Sequence, residues 1–271
     1  MVSGADHSGP LALATRGRCP EAHTSGQDSN TDSRTMKHAS PSIPVHPAWA
    51  SSLTVRMRRH FALKVVGTTL VIAVFFVGYL HLLQHPAYPV TVMPLTALDR
   101  LVPFLPQALF VYLSLWLYVG MGPGLQLTLL ELIAYAAWAA LLCVGGLVIF
   151  YFWPTQVPPH DLDVSAHVGF AMLQGVDAAG NACPSMHVAF AVFSSIRIGD
   201  VLTGIGAPKS MRVANIVWLV AIVLSTLATR QHVVLDVFAG LALGTFFAAM
   251  SLRWRPGSVR SQEPHWAVSR G

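Results

Sequence analysis

Six long apolar runs between residues 62 and 252 constrain the fold of this chain more than any other feature of its sequence. A helix needs about 20 residues to cross the hydrocarbon core of a bilayer, with a range of about 17–25. Only 11% of the 271 residues are charged, whereas a soluble domain carries about 25%. We therefore predict an all-α, polytopic membrane bundle of six helices, at residues 62–83, 105–121, 127–153, 187–204, 213–229 and 233–252.

The segments that flank these runs are polar. Residues 1–55 are rich in Ser, Thr, Pro, Gly, His and Asp and show no apolar periodicity, which predicts a disordered tail. No apolar core follows the first residues, so a signal peptide is not indicated. The predicted organisation is a cytoplasmic tail over 1–55, a six-transmembrane-helix domain over 56–255 and a second cytoplasmic tail over 256–271.

The positions of the basic residues predict the orientation of the bundle. They precede the first run, surround the loop between the fourth and fifth runs and follow the sixth, so six crossings place all of them on one side. This side is cytoplasmic by the positive-inside rule. The net charge of +5 then reflects the orientation of the helices in the membrane and does not indicate binding to nucleic acid. We expect the protein to lie in the bilayer of an inner or plasma membrane. The residues are Arg56, Arg58, Arg59, Lys64, Arg197, Lys209, Arg212, Arg253, Arg255 and Arg260.

Three polar segments fall on the opposite, non-cytoplasmic face of the predicted bundle. They are 181–187 (NACPSMH), 230–236 (RQHVVLD) and 152–160 (FWPTQVPPH). His232 and Asp236 are four residues apart, so on a helix they share one face. A carboxylate there accepts the Nδ1 proton of the imidazole and leaves Nε2 as a base or nucleophile. An ionisable group inside an apolar segment is costly and usually functional.

The remaining polar residues of these segments suit a phosphate ester. Arg230 carries a permanently charged fork that matches phosphate oxygens. Ser185 stands at a helix start, where free backbone N–H groups favour an anion. His187 can protonate a leaving alkoxide. The set predicts a nucleophile, an orienting carboxylate, an anion clamp and a general acid, which together make a phosphoryl-transfer site.

The motifs PSMH (184–187) and TRQHVVLD (229–236) resemble two signatures of the type-2 phosphatidic acid phosphatase superfamily, usually written PSGH and SRxxxxxHxxxD. The stretches 99–114 (DRLVPFLPQALFVYLS) and 151–155 (YFWPT) also look like the branch related to inositol phosphorylceramide synthases. The resemblance covers roughly residues 60–252. It implies a six-helix membrane enzyme that needs no metal or cofactor.

The resemblance also implies an activity and a set of site residues. The activity is that of a lipid phosphatase or phosphotransferase, which acts on a lipid phosphate through a phosphohistidine intermediate. Water as acceptor makes a phosphatase, and a lipid or inositol hydroxyl makes a transferase. The catalytic residues would be His187, His232 and Asp236, and the substrate-binding residues Ser185, Arg230 and His160.

The sequence departs from the family at two places. Arg230 lies only two residues before His232, and the first family signature, with its Lys and Arg, is missing. Where the branch reads PTxxPRP this chain reads PTQVPPH, with His160 as the nearest polar substitute. These departures keep a second interpretation open, in which a non-catalytic membrane protein of the same fold binds a lipid headgroup or a partner. The oligomeric state is left open.

Each candidate residue also has a purely structural explanation. A histidine at a helix end often bonds to backbone, a buried carboxylate often bridges two helices, and an arginine often extends to the headgroup layer. A metal or haem site built from the histidines is a weaker hypothesis, because the three cysteines lack the spacing of metal ligands. These structural explanations apply to His187, Asp236 and Arg230 in turn. His160 and His167 lie in a polar loop, where solvated histidines are common, and capping or flanking the second helix is the structural alternative for Asp99 and Arg100.

Overall fold

A computed structural model describes residues 47–159 and 180–254 of the chain. These residues form nine helices and two short strands. The predicted tail over 256–271 and most of the tail over 1–55 lie outside the described residues. The elements are α1 (Ala48–Arg58), α2 (Phe61–Gln84), β1 (Thr91–Val92), α3 (Ala97–Leu101), α4 (Ala108–Leu113), α5 (Leu115–Gly124), α6 (Leu129–Phe152), β2 (Thr155–Gln156), α7 (Met186–Gly204), α8 (Lys209–Ala228) and α9 (Val234–Arg253).

Five helices in the described part of the chain are long and apolar enough to cross a membrane, namely α2, α6, α7, α8 and α9. The chain is thus an α-helical multi-pass membrane protein, but the predicted number of six spans is not confirmed. The second predicted run is the pair α4 and α5, which covers only Ala108–Gly124 and rises about 26 Å at about 1.5 Å per residue. The pair is interrupted at Ser114, whose hydroxyl donates to the Val111 carbonyl at 2.6 Å, a type of bond that bends helices.

The long helices alternate in direction. One end of the bundle therefore holds the C-termini of α2, α6 and α8 and the N-termini of α7 and α9, and we call it the junction end. There the Tyr79 hydroxyl donates to the Gly180 carbonyl at 3.2 Å, and the Leu105 amide donates to the Ala228 carbonyl at 2.9 Å. The basic residues at the helix ends lie at the other, basic end, and they are Lys64, Lys209, Arg212 and Arg253.

The helix α1 corrects the boundary of the predicted N-terminal tail. Residues 48–55 were expected to be disordered, but they are helical. Lys64 Nζ donates to the carbonyls of Arg56 at 2.6 Å and Gly124 at 2.7 Å. Arg56 in turn donates to the Leu125 carbonyl at 3.1 Å and lies 3.9 Å from the Glu131 carboxylate. The bonds from Lys64 to Gly124 and from Arg56 to Leu125 join residues 60 and 69 positions apart, so the polar composition of the segment did not reveal them.

The core below the junction end is aromatic. Tyr79 of α2, Phe150 of α6 and Phe193 of α7 are all buried there, and they pack with Tyr135 in one cluster. Burial of large rings supplies much of the packing energy in such a core. The three helices that carry the rings therefore form a fixed base for the loop that precedes α7.

Two glycines allow α7 and α9 to approach each other closely. Gly240 and Gly244 are four residues apart on α9, as in the small-residue motifs of membrane helix pairs. A Cβ atom at Gly240 would overlap the Ser185 carbonyl, and one at Gly244 would overlap the Ala189 carbonyl. The helix backbones therefore touch, and any side chain at either position must separate them.

We predict that Gly244→Ala destabilises the bundle by about 1–3 kcal/mol, as expected for overpacking a tight contact. Thermal unfolding of the purified protein in detergent measures the effect. The control is Gly120→Ala, because a Cβ atom at Gly120 has no atom within 4 Å and the change favours the helix by about 0.5–1 kcal/mol. Equal unfolding temperatures for Gly244→Ala and the parent would contradict the close packing.

Candidate active site

The loop that leads into α7 is held by a small parallel sheet. Strand β1 pairs with β2, with Thr91 opposite Thr155. The Thr155 hydroxyl accepts a hydrogen bond from the Cys183 amide at 2.8 Å, and its carbonyl accepts one from the Ala182 amide at 3.2 Å. Residues after α6 therefore fix the position of the segment that begins α7.

Asn181 fixes the turn that precedes this segment. Its φ of 50° lies in the left-handed region, which Asn adopts more readily than most residues. The buried side-chain amide donates to the Tyr79 carbonyl at 3.0 Å. The turn is thus attached to α2 as well as to α6.

Ser185 is the N-cap of α7, and it also joins α7 to α9. Its hydroxyl accepts a hydrogen bond from the Val188 amide at 3.3 Å. Its own amide donates to the Asp236 carbonyl at 3.0 Å. The side chain is fully buried, so the hydroxyl acts as a helix cap here.

Asp236 lies fully buried in the first turn of α9. Its Oδ2 accepts a hydrogen bond from the Val233 amide at 2.9 Å and lies 3.6 Å from Nδ1 of His232. This separation is that of an ion pair and exceeds a hydrogen bond, although such contacts are often long before substrate binds. Because Nδ1 faces the carboxylate, Nε2 lies on the opposite edge of the His232 ring.

His187, in the first turn of α7, faces His232. The centroids of the two rings are 5.9 Å apart. A second neighbour of His187 is Tyr112 of α4, whose ring stacks on the imidazole with centroids 4.3 Å apart and whose hydroxyl lies 3.2 Å from Nδ1. Tyr112 thus fixes the plane of the His187 ring and occupies one of its two nitrogens.

Arg230 occupies the position after α8 where helices usually place glycine. Its φ is 58°, and the amides of Arg230 and Gln231 donate to the carbonyls of Leu227 at 3.0 Å and Thr226 at 3.1 Å, which is the Schellman pattern. A left-handed conformation costs a non-glycine residue about 1–2 kcal/mol. Contacts of the arginine side chain are therefore needed to offset this cost.

The guanidinium group of Arg230 forms hydrogen bonds to backbone carbonyls. It donates to the carbonyls of Asp99 at 3.0 Å and Val102 at 2.8 Å. Its Nε is buried and has no partner in the described part of the chain. Arg230, the predicted anion clamp, thus uses two of its donors to bind the segment around α3, and its Nε–H is a third donor without a hydrogen-bond partner among the described residues.

Asp99 connects the same segment to α9. Its Oδ1 accepts a hydrogen bond from the Val234 amide at 2.8 Å, and its Oδ2 accepts from the amide and the hydroxyl of Thr96, each at 2.7 Å. The carboxylate therefore caps the N-terminus of α9 in addition to its own short helix. Together with Arg230, it attaches the segment around α3 to the turn that carries His232.

Cys183 is a neutral neighbour of the site. Burial raises the pKa of its thiol to about 12, and the nearby negative charge of Asp236 and a hydrogen bond from the thiol to that carboxylate contribute to the increase. The thiol therefore stays protonated at neutral pH and does not act as a nucleophile.

The structure brings together four of the six predicted site residues, which are Ser185, His187, His232 and Asp236. Arg230 is adjacent in the chain, but its guanidinium group points to the carbonyls of the segment around α3. His160 lies outside the described residues. Apart from their presence in the 99–114 stretch of the resemblance, Tyr112 and the contact between Asp99 and α9 have no signal in the sequence.

Among residues 47–159 and 180–254, no group of three or more His, Cys, Asp or Glu side chains is arranged as a metal site. Three buried polar atoms near the histidines have no hydrogen-bond partner in this part of the chain, and they are His232 Nδ1, Asp236 Oδ1 and Arg230 Nε. Native proteins leave few buried polar atoms without a hydrogen bond, so each of these atoms calls for an explanation.

Comparison with known proteins agrees with the resemblance inferred from the motifs. The family model described as PAP2 superfamily matches residues 128–260, which include α6 to α9 and all three predicted catalytic residues. The resemblance to the type-2 phosphatidic acid phosphatase superfamily is thereby confirmed. No curated protein and no solved structure matches the chain.

We predict that Asp99→Ala destabilises the protein by about 1–3 kcal/mol, because the buried Val234 amide loses its acceptor. Thermal unfolding in detergent provides the measurement. Leu98→Ala is the matched control, since Leu98 is 55% exposed and surface changes usually stay within about 0.5 kcal/mol. A stability of Asp99→Ala equal to that of the control would refute the capping role.

Proposed function

Because residues 128–260 belong to the PAP2 superfamily, we propose that this protein is an integral-membrane enzyme that cleaves or transfers the phosphate ester of a lipid. The observation that carries the proposal is the arrangement of two histidines and one carboxylate. The ring centroids of His187 and His232 are 5.9 Å apart, and Asp236 lies 3.6 Å behind His232. One imidazole can attack phosphorus from this position while the other faces the leaving group.

The first step of the proposed mechanism forms a phosphohistidine. Nε2 of His232 attacks phosphorus, a P–N bond forms, and the P–O bond to the lipid alcohol breaks. A protonated His187 transfers its Nε2 proton to the departing oxygen and keeps its Nδ1 proton, which forms a hydrogen bond to the Tyr112 hydroxyl. The Asp236 carboxylate stabilises the positive charge that develops on the His232 ring.

The second step releases the phosphoryl group. Neutral His187 accepts a proton from the acceptor hydroxyl, whose oxygen attacks phosphorus as the P–N bond breaks. His232 returns to its neutral form, and His187 to its protonated form. Water as acceptor gives a phosphatase, and a lipid or inositol hydroxyl gives a transferase, the activity suggested by the likeness of 99–114 to the synthase branch.

The proposed mechanism uses protein groups to stabilise the charge on the phosphoryl oxygens. Arg230 contributes its positive charge and the unpaired Nε donor. Ser185 contributes through the start of α7, where backbone N–H groups and the helix dipole favour an anion. His160 remains a candidate substrate-binding residue on the evidence of the sequence.

We also propose that the site faces the non-cytoplasmic side of an inner or plasma membrane. The support is the separation of charge along the bundle. His187 and His232 lie at the junction end, whereas Lys64, Lys209, Arg212 and Arg253 lie at the basic end. Basic helix ends prefer the cytoplasm.

The two histidines are predicted to have different effects on activity. His232→Ala should abolish both phosphoenzyme formation and hydrolysis of lipid phosphates, because the nucleophile is removed. His187→Ala should slow lipid phosphate hydrolysis by about 10²–10⁴-fold, the usual contribution of a general acid. It should slow para-nitrophenyl phosphate hydrolysis much less, because a good leaving group needs no proton. Purified protein in detergent, labelled phosphate and steady-state kinetics provide the measurements.

His85→Ala is the matched control for these variants, because His85 is an exposed histidine after the end of α2. It should retain the activity of the parent. Full activity of His232→Ala would refute the assignment of His232 as the nucleophile, and binding of lipid phosphates without turnover by the parent would favour the non-catalytic interpretation.

Asp236→Asn is predicted to preserve the fold but lower turnover by about 10²–10⁴-fold, by analogy with the serine-protease triad, where the comparable change costs about 10⁴. The amide oxygen can still accept the hydrogen bond of the Val233 amide, but it carries no charge to stabilise His232. Turnover and thermal unfolding should be measured on the same preparation. Unchanged turnover would show that Asp236 only packs.

A further inference from the structure

A long apolar pocket starts at His187 and extends through the bundle toward the basic end. Its volume is about 320 Å³, and it lies between α2, α5, α6 and the first turns of α7. Apart from His187 and a few other polar groups, its lining is hydrocarbon and aromatic, and includes Val71, Phe75, Phe76, Trp116, Leu132 and Phe190. The proposed mechanism uses only the His187 end of this pocket.

The pocket is long, and at the basic end it is closed by an ammonium group that already has hydrogen-bond partners. Along α6 it is lined from Leu129 to Cys143, a rise of about 21 Å at about 1.5 Å per residue. At the basic end it reaches Lys64, whose ammonium group already donates to the carbonyls of Arg56 and Gly124. The interior therefore suits a hydrocarbon chain rather than a second charged group.

The pocket also has access to the lipid phase. Leu70, Trp116, Leu129 and Ile133 line it and are 62%, 42%, 46% and 56% exposed on the outside of the bundle. In a membrane these side chains contact lipid tails. A chain can therefore enter sideways from the bilayer, without leaving an apolar environment.

We propose that this pocket binds one hydrocarbon chain of the substrate while the phosphate ester lies between His187 and His232. The inference rests on the proposed function and specifies the substrate class, a lipid phosphate with at least one long extended chain. The occupant is the chain of the substrate because the pocket begins at the His187 ring itself. A chain attached to a phosphate at that ring has this apolar path beside it.

The test is to fill the far part of the pocket and measure chain-length preference. Gly67 lines the pocket, and a Cβ atom there has no atom within 4 Å, so Gly67→Leu places its side chain in the open volume. Hydrolysis of octadecyl phosphate and octyl phosphate should be compared in mixed micelles. The ratio of kcat/KM for the long to the short substrate should fall about tenfold, since each excluded methylene is worth a factor of about four.

Each variant that fills the pocket has a matched control that adds the same side chain outside the pocket. Gly120→Leu also adds a side chain to a helical glycine with open space, but outside the pocket, and should keep the ratio of the parent. Ala136→Leu fills the pocket from α6, and Ala137→Leu, its exposed neighbour, does not. The second pair keeps the test decisive if one glycine variant fails to fold.

The outcomes distinguish the pocket from the chemistry. An unchanged ratio in both filling variants, with lipid phosphates still hydrolysed, would overturn the pocket inference alone. Failure of the parent to hydrolyse any lipid phosphate would overturn the proposed function. In that case an octadecyl phosphate with a diazirine at the chain end still tests the pocket: labelling of α2 and α6 supports it, and labelling elsewhere refutes it.

Discussion

The first turn of α9 lies directly against the start of α7, and the candidate site depends on this contact. The Ser185 amide donates to the Asp236 carbonyl, and Gly240 and Gly244 leave no space for side chains between the two backbones. A wider separation would move His187 away from His232, because each histidine lies within a few residues of the contact. Two residues 45 positions apart thus face each other because two glycines let their helices touch.

The site is also defined by how its polar groups are satisfied in an apolar environment. A buried carboxylate is costly unless it is paired, and Asp236 meets that cost in part through the Val233 amide. Its other oxygen and Nδ1 of His232 have no hydrogen-bond partner in the described chain. By contrast, Asp99 uses both oxygens to cap helices. Asp99 thus has a structural role, whereas Asp236 both caps α9 and lies 3.6 Å from the His232 ring.

The polar site and the apolar pocket form two halves of one proposed substrate-binding surface. The histidines lie at the junction end, and the pocket leads from His187 into the bundle. A lipid phosphate has the same division between a charged group and a chain. The helices α2, α5, α6 and α7 would then contribute affinity for the chain, while α7 and α9 contribute the chemistry.

The sequence by itself determined the membrane class, the approximate spans and the candidate catalytic residues, because these follow from local patterns: apolar runs, a PSMH motif and a four-residue spacing in one helix. It did not determine the break at Ser114, the helix α1 or the direction of Arg230. Tertiary structure alone decided the partners of three residues at the site. His187 contacts Tyr112, 75 residues away. Arg230 and Val234 both bind Asp99, which is 131 and 135 residues away from them. Such contacts leave no periodic trace in a single chain, since they depend on how helices pack and not on the residues beside them.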